Sequence, residues 1–302
     1  MSTSYPSDRP RLALIAGPTA SGKSARALAL AEQTGGTIIN ADASQVYRDL
    51  RILSARPTAA EEARAPHRLF GHRDGAFPCS AADWAEEAKA AIAETLAGGR
   101  LPILVGGTGL YIRTLLLGIA PVPEIDPGVR AAVRALAAGP AHAALAKEDP
   151  VAAARLHPND TARLHRALEV IRATGRPIGV WRESRVGGIA DTVRIDLETI
   201  VTSVPELYAR CDSRVDQMIA AGAVDEVAAL RDRRLDPALP VMRAIGVSQL
   251  LQYLAGKVTL DDAIISIRQA TRSYAKRQRT WLRHQLVQGL DSAPDQPGDK
   301  EG

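Results

Sequence analysis

Four short apolar runs punctuate the chain: RLALIAG at 11–17, TIINAD at 37–42, LPILVGG at 101–107 and VRIDLETIVT at 193–202. Runs of this length, bounded by glycine, proline or polar residues, read as buried strands. Apolar residues between them recur at helical spacing. SARALALAEQTG follows the first run and stops at Gly35 and Gly36. Ser80, with Asp83 three residues on, opens another helix that ends near Gly98 and Gly99. Strands alternating with helices predict a parallel sheet covered by helices on both faces.

The pattern changes between 121 and about 188, where no strand-like run occurs. Asp126 with Pro127, and Asp149 with Pro150, each read as an N-cap followed by proline in the first helical position. Asn159 and Asp160 open TARLHRALEVIRATG, which closes at Gly175. An all-helical insertion at 121–188 is therefore predicted, set into an α/β unit built from 1–120 and 189–290. The chain after Val204 is again mostly helical. The stretch 291–302, DSAPDQPGDKEG, is polar and predicted to be disordered.

Composition narrows the compartment. No apolar run approaches the length of a bilayer span, and MSTSYPSDRP lacks the layout of a secretory leader. Cys79 and Cys211, the two cysteines, have no metal-like or redox-like spacing. The six histidines show no zinc spacing, and the three tryptophans read as core or interface. A cytoplasmic, non-membrane protein is expected, as a monomer. The net charge of +4 matters less than its distribution. Residues 264–290 hold no acid but carry Arg268, Arg272, Lys276, Arg277, Arg279 and Arg283. Arg268, Arg272, Lys276, Arg279 and Arg283 fall on one helical face. Such a face is either solvated or a footprint for nucleic-acid backbone, and the missing acids favour the latter. Arg163 and Arg166, three apart on the inserted helix, form a second candidate phosphate clamp.

The sharpest motif is GPTASGKS: Gly17, Pro18, Thr19, Ala20, Ser21, Gly22, Lys23 and Ser24. It fits the phosphate-loop pattern at every fixed position and sits between a strand and a helix. Backbone N–H groups and the helix N-terminus would cradle a phosphate, Lys23 would neutralise it, and Ser24 would ligate Mg²⁺. Phosphate-loop hydrolases carry an aspartate after a later strand. Here LPILV runs into Gly106, Gly107 and Thr108 instead. That turn is either a plain tight turn or a close approach to a ligand, with Thr108 bonding a phosphate. Asp42 ends the second strand, where parallel sheets bind ligands, and reads either as a general base or as a turn aspartate. Gln45 can read an adenine edge or stay solvated.

Taken together, these stretches resemble the tRNA dimethylallyltransferases, or tRNA isopentenyltransferases, in their short bacterial form. The resemblance rests on GPTASGKS, INADASQVYR, SARP, APH, ILVGGTGLYI, NDTARLHRALEV, RCDSRVDQMIAAG, VMRAIG and YAKRQRTW, in that order along the chain. It implies a P-loop NTPase-like parallel sheet flanked by helices, with an all-helical insertion domain that contacts tRNA. It also implies transfer of a dimethylallyl group from dimethylallyl diphosphate to the N6 amine of an adenosine. That adenosine lies 3′ of the anticodon in tRNAs reading codons that begin with U. In such enzymes the loop holds the diphosphate of the prenyl donor. Lys23, Ser24 with Mg²⁺, Thr108 and Arg214 then match positions that stabilise the leaving diphosphate, and Asp42 matches the general base. Asp42, Ala43, Ser44 and Gln45 match segments that touch the anticodon stem-loop. So do Ala162, Arg163, Leu164, His165 and Arg166, and Arg243, Ala244, Ile245 and Gly246. Arg272, Lys276 and Arg279 of the basic stripe join them.

Several positions depart from the family pattern. Ala43 lacks a usual hydroxyl, Asp49 replaces a usual glycine, and Ile52, Leu53 and Ser54 replace its usual continuation. Val247 and Ser248 stand where an aromatic residue and an arginine are usual. Two other functions fit parts of the chain. An adenylate prenyltransferase would need neither the insertion nor the basic stripe. A small-molecule kinase would need the carboxylate that Gly106–Thr108 lacks.

Overall fold

The computed structural model describes residues 9–286. The stretch 291–302, predicted to be disordered, lies outside the described residues. The chain runs β1 (Arg11–Ala16), α1 (Lys23–Thr34), β2 (Thr37–Ala41), one-turn α2 (Ala59–Glu62), β3 (His67–Arg68), α3 (Ala81–Ala97), β4 (Pro102–Gly106) and α4 (Gly109–Leu117). The helical stretch holds α5 (Pro127–Arg134), α6 (Ala138–Glu148), α7 (Pro150–Arg155), α8 (Thr161–Thr174) and α9 (Ile178–Trp181). Then come β5 (Arg194–Thr199), α10 (Val204–Ala220), α11 (Ala223–Asp232), α12 (Val247–Leu254) and α13 (Leu260–Trp281).

The strands form one parallel sheet in the order β3-β2-β4-β1-β5. Four match the apolar runs. The fifth, β3, is a correction to the four-strand reading: it is two residues long, pairing His67 with Ile38 and Arg68 with Ile39. A strand of two residues has no periodicity to detect. In register, Gly106 at the end of β4 lies opposite both Ala16 of β1 and Ala41 of β2. The phosphate loop, Asp42 and the glycine turn therefore leave the sheet side by side.

Burial on both faces follows from the helices. On one face α1 packs Ala27, Leu28 and Ala31 onto Ala13, Ile15, Ile38, Ile103 and Val105. Elsewhere Trp84 of α3 is fully buried and stacks on Tyr111 of α4 at 4.5 Å. Its indole N–H, the one polar group of the side chain, donates to the carbonyl of Asn40 at 2.9 Å. That bond pins α3 to the strand residue two before Asp42.

Leu117–Gly188 forms one compact unit, and the chain on either side of it forms another. The aspartates predicted as caps do cap: Asp126 accepts from the N–H of Gly128 and Val129, Asp149 from that of Ala152, and Asp160 from that of Arg163. The unit's core gathers Val133, Ala141, Leu145, Leu164, Ala167 and Leu168. Leu164, grouped above with RNA-facing residues, is corrected by this packing: its side chain is fully buried. Among the described residues no helix is long and apolar enough to cross a membrane. Leu164→Ala is expected to destabilise the helical unit by about 2–5 kcal/mol. Hydrogen exchange across 117–188 measures this, and unchanged protection would contradict the core assignment.

Candidate active site

The phosphate loop follows β1 and delivers its end to the N-terminus of α1. Two turns of backbone make it possible: Ala20 and Gly22 both adopt positive φ, at 61° and 95°. The Lys23 ammonium folds back to donate to the Pro18 carbonyl at 3.2 Å. Ser21 Oγ is buried without a protein partner and rests over Gly17, where any Cβ would lie 2.6 Å from it. A cleft of about 560 Å³ opens beside the loop, lined by Ala20, Gly22, Lys23 and Ser24 and by Arg210, Ser213 and Arg214 of α10. Arg210 is paired with Glu206, whereas among the described residues Arg214 makes a single bond, long at 3.4 Å, to the Ser54 carbonyl. Burial pushes the Lys23 pKa down to about 8; Asp42 opposes this shift and Arg214 adds to it. Burial likewise lowers the Arg214 pKa, with Asp42 opposing. Two desolvated cations thus face one carboxylate, an arrangement that favours an added anion.

Asp42 is held by its neighbours. Its backbone N–H donates to Asn40 Oδ1 at 2.8 Å, and Asn40 Nδ2 returns a bond to the Asp42 carbonyl. Oδ1 accepts from both the N–H and the hydroxyl of Ser44, at 3.0 and 2.7 Å. Oδ2 has no hydrogen-bond partner among the described residues. Thr108 Oγ1 accepts from the N–H of Ala43 at 2.9 Å, so the Ala43 departure leaves this contact, made by backbone, intact. Gly106–Gly109 is a close approach, but to the protein's own backbone and side chains. A Cβ at Gly106 would lie 2.2 Å from the Ala41 carbonyl oxygen, one at Gly107 2.7 Å from that of Gly17, and one at Gly109 2.2 Å from the Trp281 ring.

Two sequence readings change here. The acids missing from the basic stripe come from α10: Arg268 pairs with Asp216 at 2.5 Å, and Arg272 Nε donates to Asp212 at 2.7 Å. Arg272 also lies over the Tyr208 ring, so its guanidinium is engaged within the protein. Lys276 is exposed and Arg279 half-buried, and neither has an ion pair among the described residues. Gln45, considered as an adenine reader, is buried and gives its amide N–H groups to the carbonyls of Ser54 and Ala55. It orders the loop under Arg214.

The remaining candidates divide by environment. Arg243 is exposed at the end of a 3-10 turn, Pro240–Arg243, and leads through half-buried Ala244 and Ile245 to Gly246. Gly246 has a φ of 99° and touches Leu53. In the helical unit Ala162, Arg163 and Arg166 are exposed, and His165 Nε2 lies 2.9 Å from the Leu136 carbonyl. Arg163 has Asp160 at 3.4 Å and Arg166 has Glu169 at 3.7 Å. The departures acquire local roles. Asp49 accepts from the N–H of Gly75 and pairs with Arg233, which also reaches Asp74. Glu226 accepts from the backbone N–H groups of Arg51, Ile52 and Leu53. Sequence reading missed Gln278, a buried residue of α13 that touches both the phosphate loop and the glycine turn. Its position one helical turn from Tyr274, off the charged face, was the available signal.

Among the described residues no group of three His, Cys, Asp or Glu side chains gathers as a metal cage. The exposed Ser24 hydroxyl at the cleft is a hard oxygen donor suited to Mg²⁺, which draws its other ligands from phosphate oxygens and water. The residues present therefore fit a metal that arrives with a diphosphate.

Fold and site together define the class: a parallel α/β enzyme with a phosphate loop, a carboxylate at the end of β2, and glycine where β4 ends. The family model described as IPP transferase matches residues 45–285, and that described as isopentenyl transferase matches residues 10–77. The chain belongs to the IPP transferase family. The tRNA dimethylallyltransferase of Sphingopyxis alaskensis is 61% identical over 277 residues, covering 91% of this chain and 90% of that protein. The solved tRNA isopentenylpyrophosphate transferase of Bacillus halodurans shares 36% identity at a TM-score of 0.65, covering 92% of this chain and 88% of that one. A solved eukaryotic dimethylallyltransferase acting on tRNA superposes with a TM-score of 0.79 at 28% identity, over 93% of this chain and 72% of that one.

The glycine turn gives a direct test. Gly106→Ala forces a methyl group onto the Ala41 carbonyl, and a loss of about 1–3 kcal/mol or more is expected in urea denaturation. A wild-type midpoint would contradict the close approach.

Proposed function

We propose that this protein transfers a dimethylallyl group from dimethylallyl diphosphate to the N6 amine of the adenosine 3′ of the anticodon in tRNAs reading codons that begin with U. The observation that carries this reading is the grouping of Asp42, Lys23 and Arg214 beside a phosphate loop, with no carboxylate at the end of β4. A kinase needs that carboxylate for its metal; a prenyl transferase needs a base near a diphosphate holder.

The adenosine nitrogen bonds to C1 of the prenyl group while the C1–O bond to diphosphate breaks. The amine proton passes to Asp42 Oδ2, the oxygen left free by Ser44. Loop N–H groups, Lys23, Arg214 and the Thr108 hydroxyl meet the charge that grows on the diphosphate. Mg²⁺ held by Ser24 would add a further positive charge there. The adenine lone pair is delocalised into the ring, so removal of the proton must accompany bond formation. The target base must leave its stack to reach the cleft. Exposed Lys276 and Arg243, with half-buried Arg279, supply cations for the RNA backbone. Arg163 and Arg166 of the helical unit do the same.

Radiolabelled dimethylallyl diphosphate offered with unmodified tRNA or with free AMP tests the acceptor. Label in tRNA is expected, and label in AMP alone would favour the adenylate enzyme instead. Asp42→Ala is expected to keep tRNA affinity while kcat falls about a hundred- to ten-thousand-fold; full turnover would remove Asp42 as the base. The Lys23 pKa generates a pH prediction. With the free ammonium titrating near 8, the anion-binding charge is present at pH 7 and mostly lost at pH 9. Affinity for a non-reactive prenyl diphosphate analogue should therefore weaken about tenfold between those values. Calorimetry giving equal affinity would contradict the assignment.

A further inference from the structure

Gln278 lies on the buried side of α13, 4% exposed, in the helix whose outer face carries Lys276 and Arg279. Its side-chain amide is fully directional. Oε1 accepts from the backbone N–H of Thr19 at 2.7 Å, and Nε2 donates to the Gly107 carbonyl at 3.0 Å. One amide thus clips the phosphate loop to the glycine turn across 259 and 171 residues of sequence. The turn is shaped for it, since a Cβ at Gly107 would lie 2.3 Å from Nε2. Tyr274, one turn earlier, lies within electrostatic reach of both the Thr108 and Gln278 side chains. The Gly107 carbonyl that Gln278 holds belongs to the residue before Thr108.

Leucine has nearly the same volume but neither bond, so packing alone does not call for glutamine here. Both bonded groups belong to the two segments assigned above to the leaving diphosphate. An N–H occupied by a side-chain carbonyl is also withdrawn from the anion, which limits the donors of the loop to those beyond Thr19. We propose that Gln278 is a positioning residue for the transfer reaction, setting the separation between the phosphate loop and Thr108 so that both reach one diphosphate. This rests on the reading of the site as a diphosphate holder.

The test compares Gln278→Leu and Gln278→Glu with wild type in the full chain. The readouts are inorganic diphosphate affinity with Mg²⁺, donor KM, and kcat on tRNA. In Gln278→Leu, diphosphate affinity and kcat should each fall roughly tenfold or more, while circular dichroism stays native. Glutamate keeps the acceptor for Thr19 but repels the Gly107 carbonyl until it is protonated. Relative to wild type, Gln278→Glu should therefore regain diphosphate affinity and kcat as pH falls from 8 to 6 while its circular dichroism stays native throughout, a combination that a merely structural role would not produce. Wild-type constants in Gln278→Leu would overturn the proposal. If Gln278→Leu does not fold, a Gln278→Glu profile parallel to wild type would overturn it equally. Diphosphate binding separates this from the acceptor question. A wild type inert on tRNA whose diphosphate affinity still depends on Gln278 would sink the function and leave standing the part of the proposal in which Gln278 sets the loop and Thr108 around one diphosphate.

Discussion

Everything at this site depends on three strand ends meeting at backbone contact. Gly106 pairs with Ala16 and Ala41 in register, and it has no room for a side chain against the Ala41 carbonyl. That constraint brings the phosphate loop, Asp42 and Thr108 to one edge of the sheet. Gln278 then closes the gap on top. Glycine in this turn permits close packing of fixed parts, so the turn is stiff although its composition suggests flexibility. Preorganised donors matter most where charge develops during a reaction, because they need no rearrangement at that moment.

The electrostatics follow from that geometry. Lys23 and Arg214 are brought together and desolvated, and Asp42 is the carboxylate that opposes both shifts. Placing like charges at one cleft weakens the resting protein and favours an added anion. In the proposed reaction that anion is a diphosphate, which stays where it is held while the carbon moves. The same phosphate loop that elsewhere serves phosphoryl transfer can in this way hold a leaving group, and the difference lies in what stands at the ends of β2 and β4.

Much of the fold was legible in the sequence because local chemistry agreed with it. The apolar runs became β1, β2, β4 and β5, and the Asp-Pro pairs became caps with the bonds that such pairs make. What escaped was non-local. β3 is set by pairing with Ile38 and Ile39, not by its own pattern. The basic stripe lost Arg268 and Arg272 to acids on α10, more than fifty positions away. Leu164 sits among arginines in sequence yet points into the helical core. Gln278 looked like one more polar residue on a charged helix until tertiary contacts gave each of its amide atoms a partner. Asp42, Lys23 and Thr108 were readable from motifs and position; what the sequence did not reveal was that burial lowers the Lys23 pKa, or that Thr108 is bonded to Ala43.

In the proposed reaction the loop keeps the phosphorus and releases the carbon. Two donors test this, one labelled in the prenyl C1 carbon and one in the terminal phosphorus, each incubated with unmodified tRNA and Mg²⁺. The account predicts carbon label in the RNA and phosphorus label wholly in free diphosphate. Phosphorus label attached to the acceptor, or released as orthophosphate in step with turnover, would contradict it.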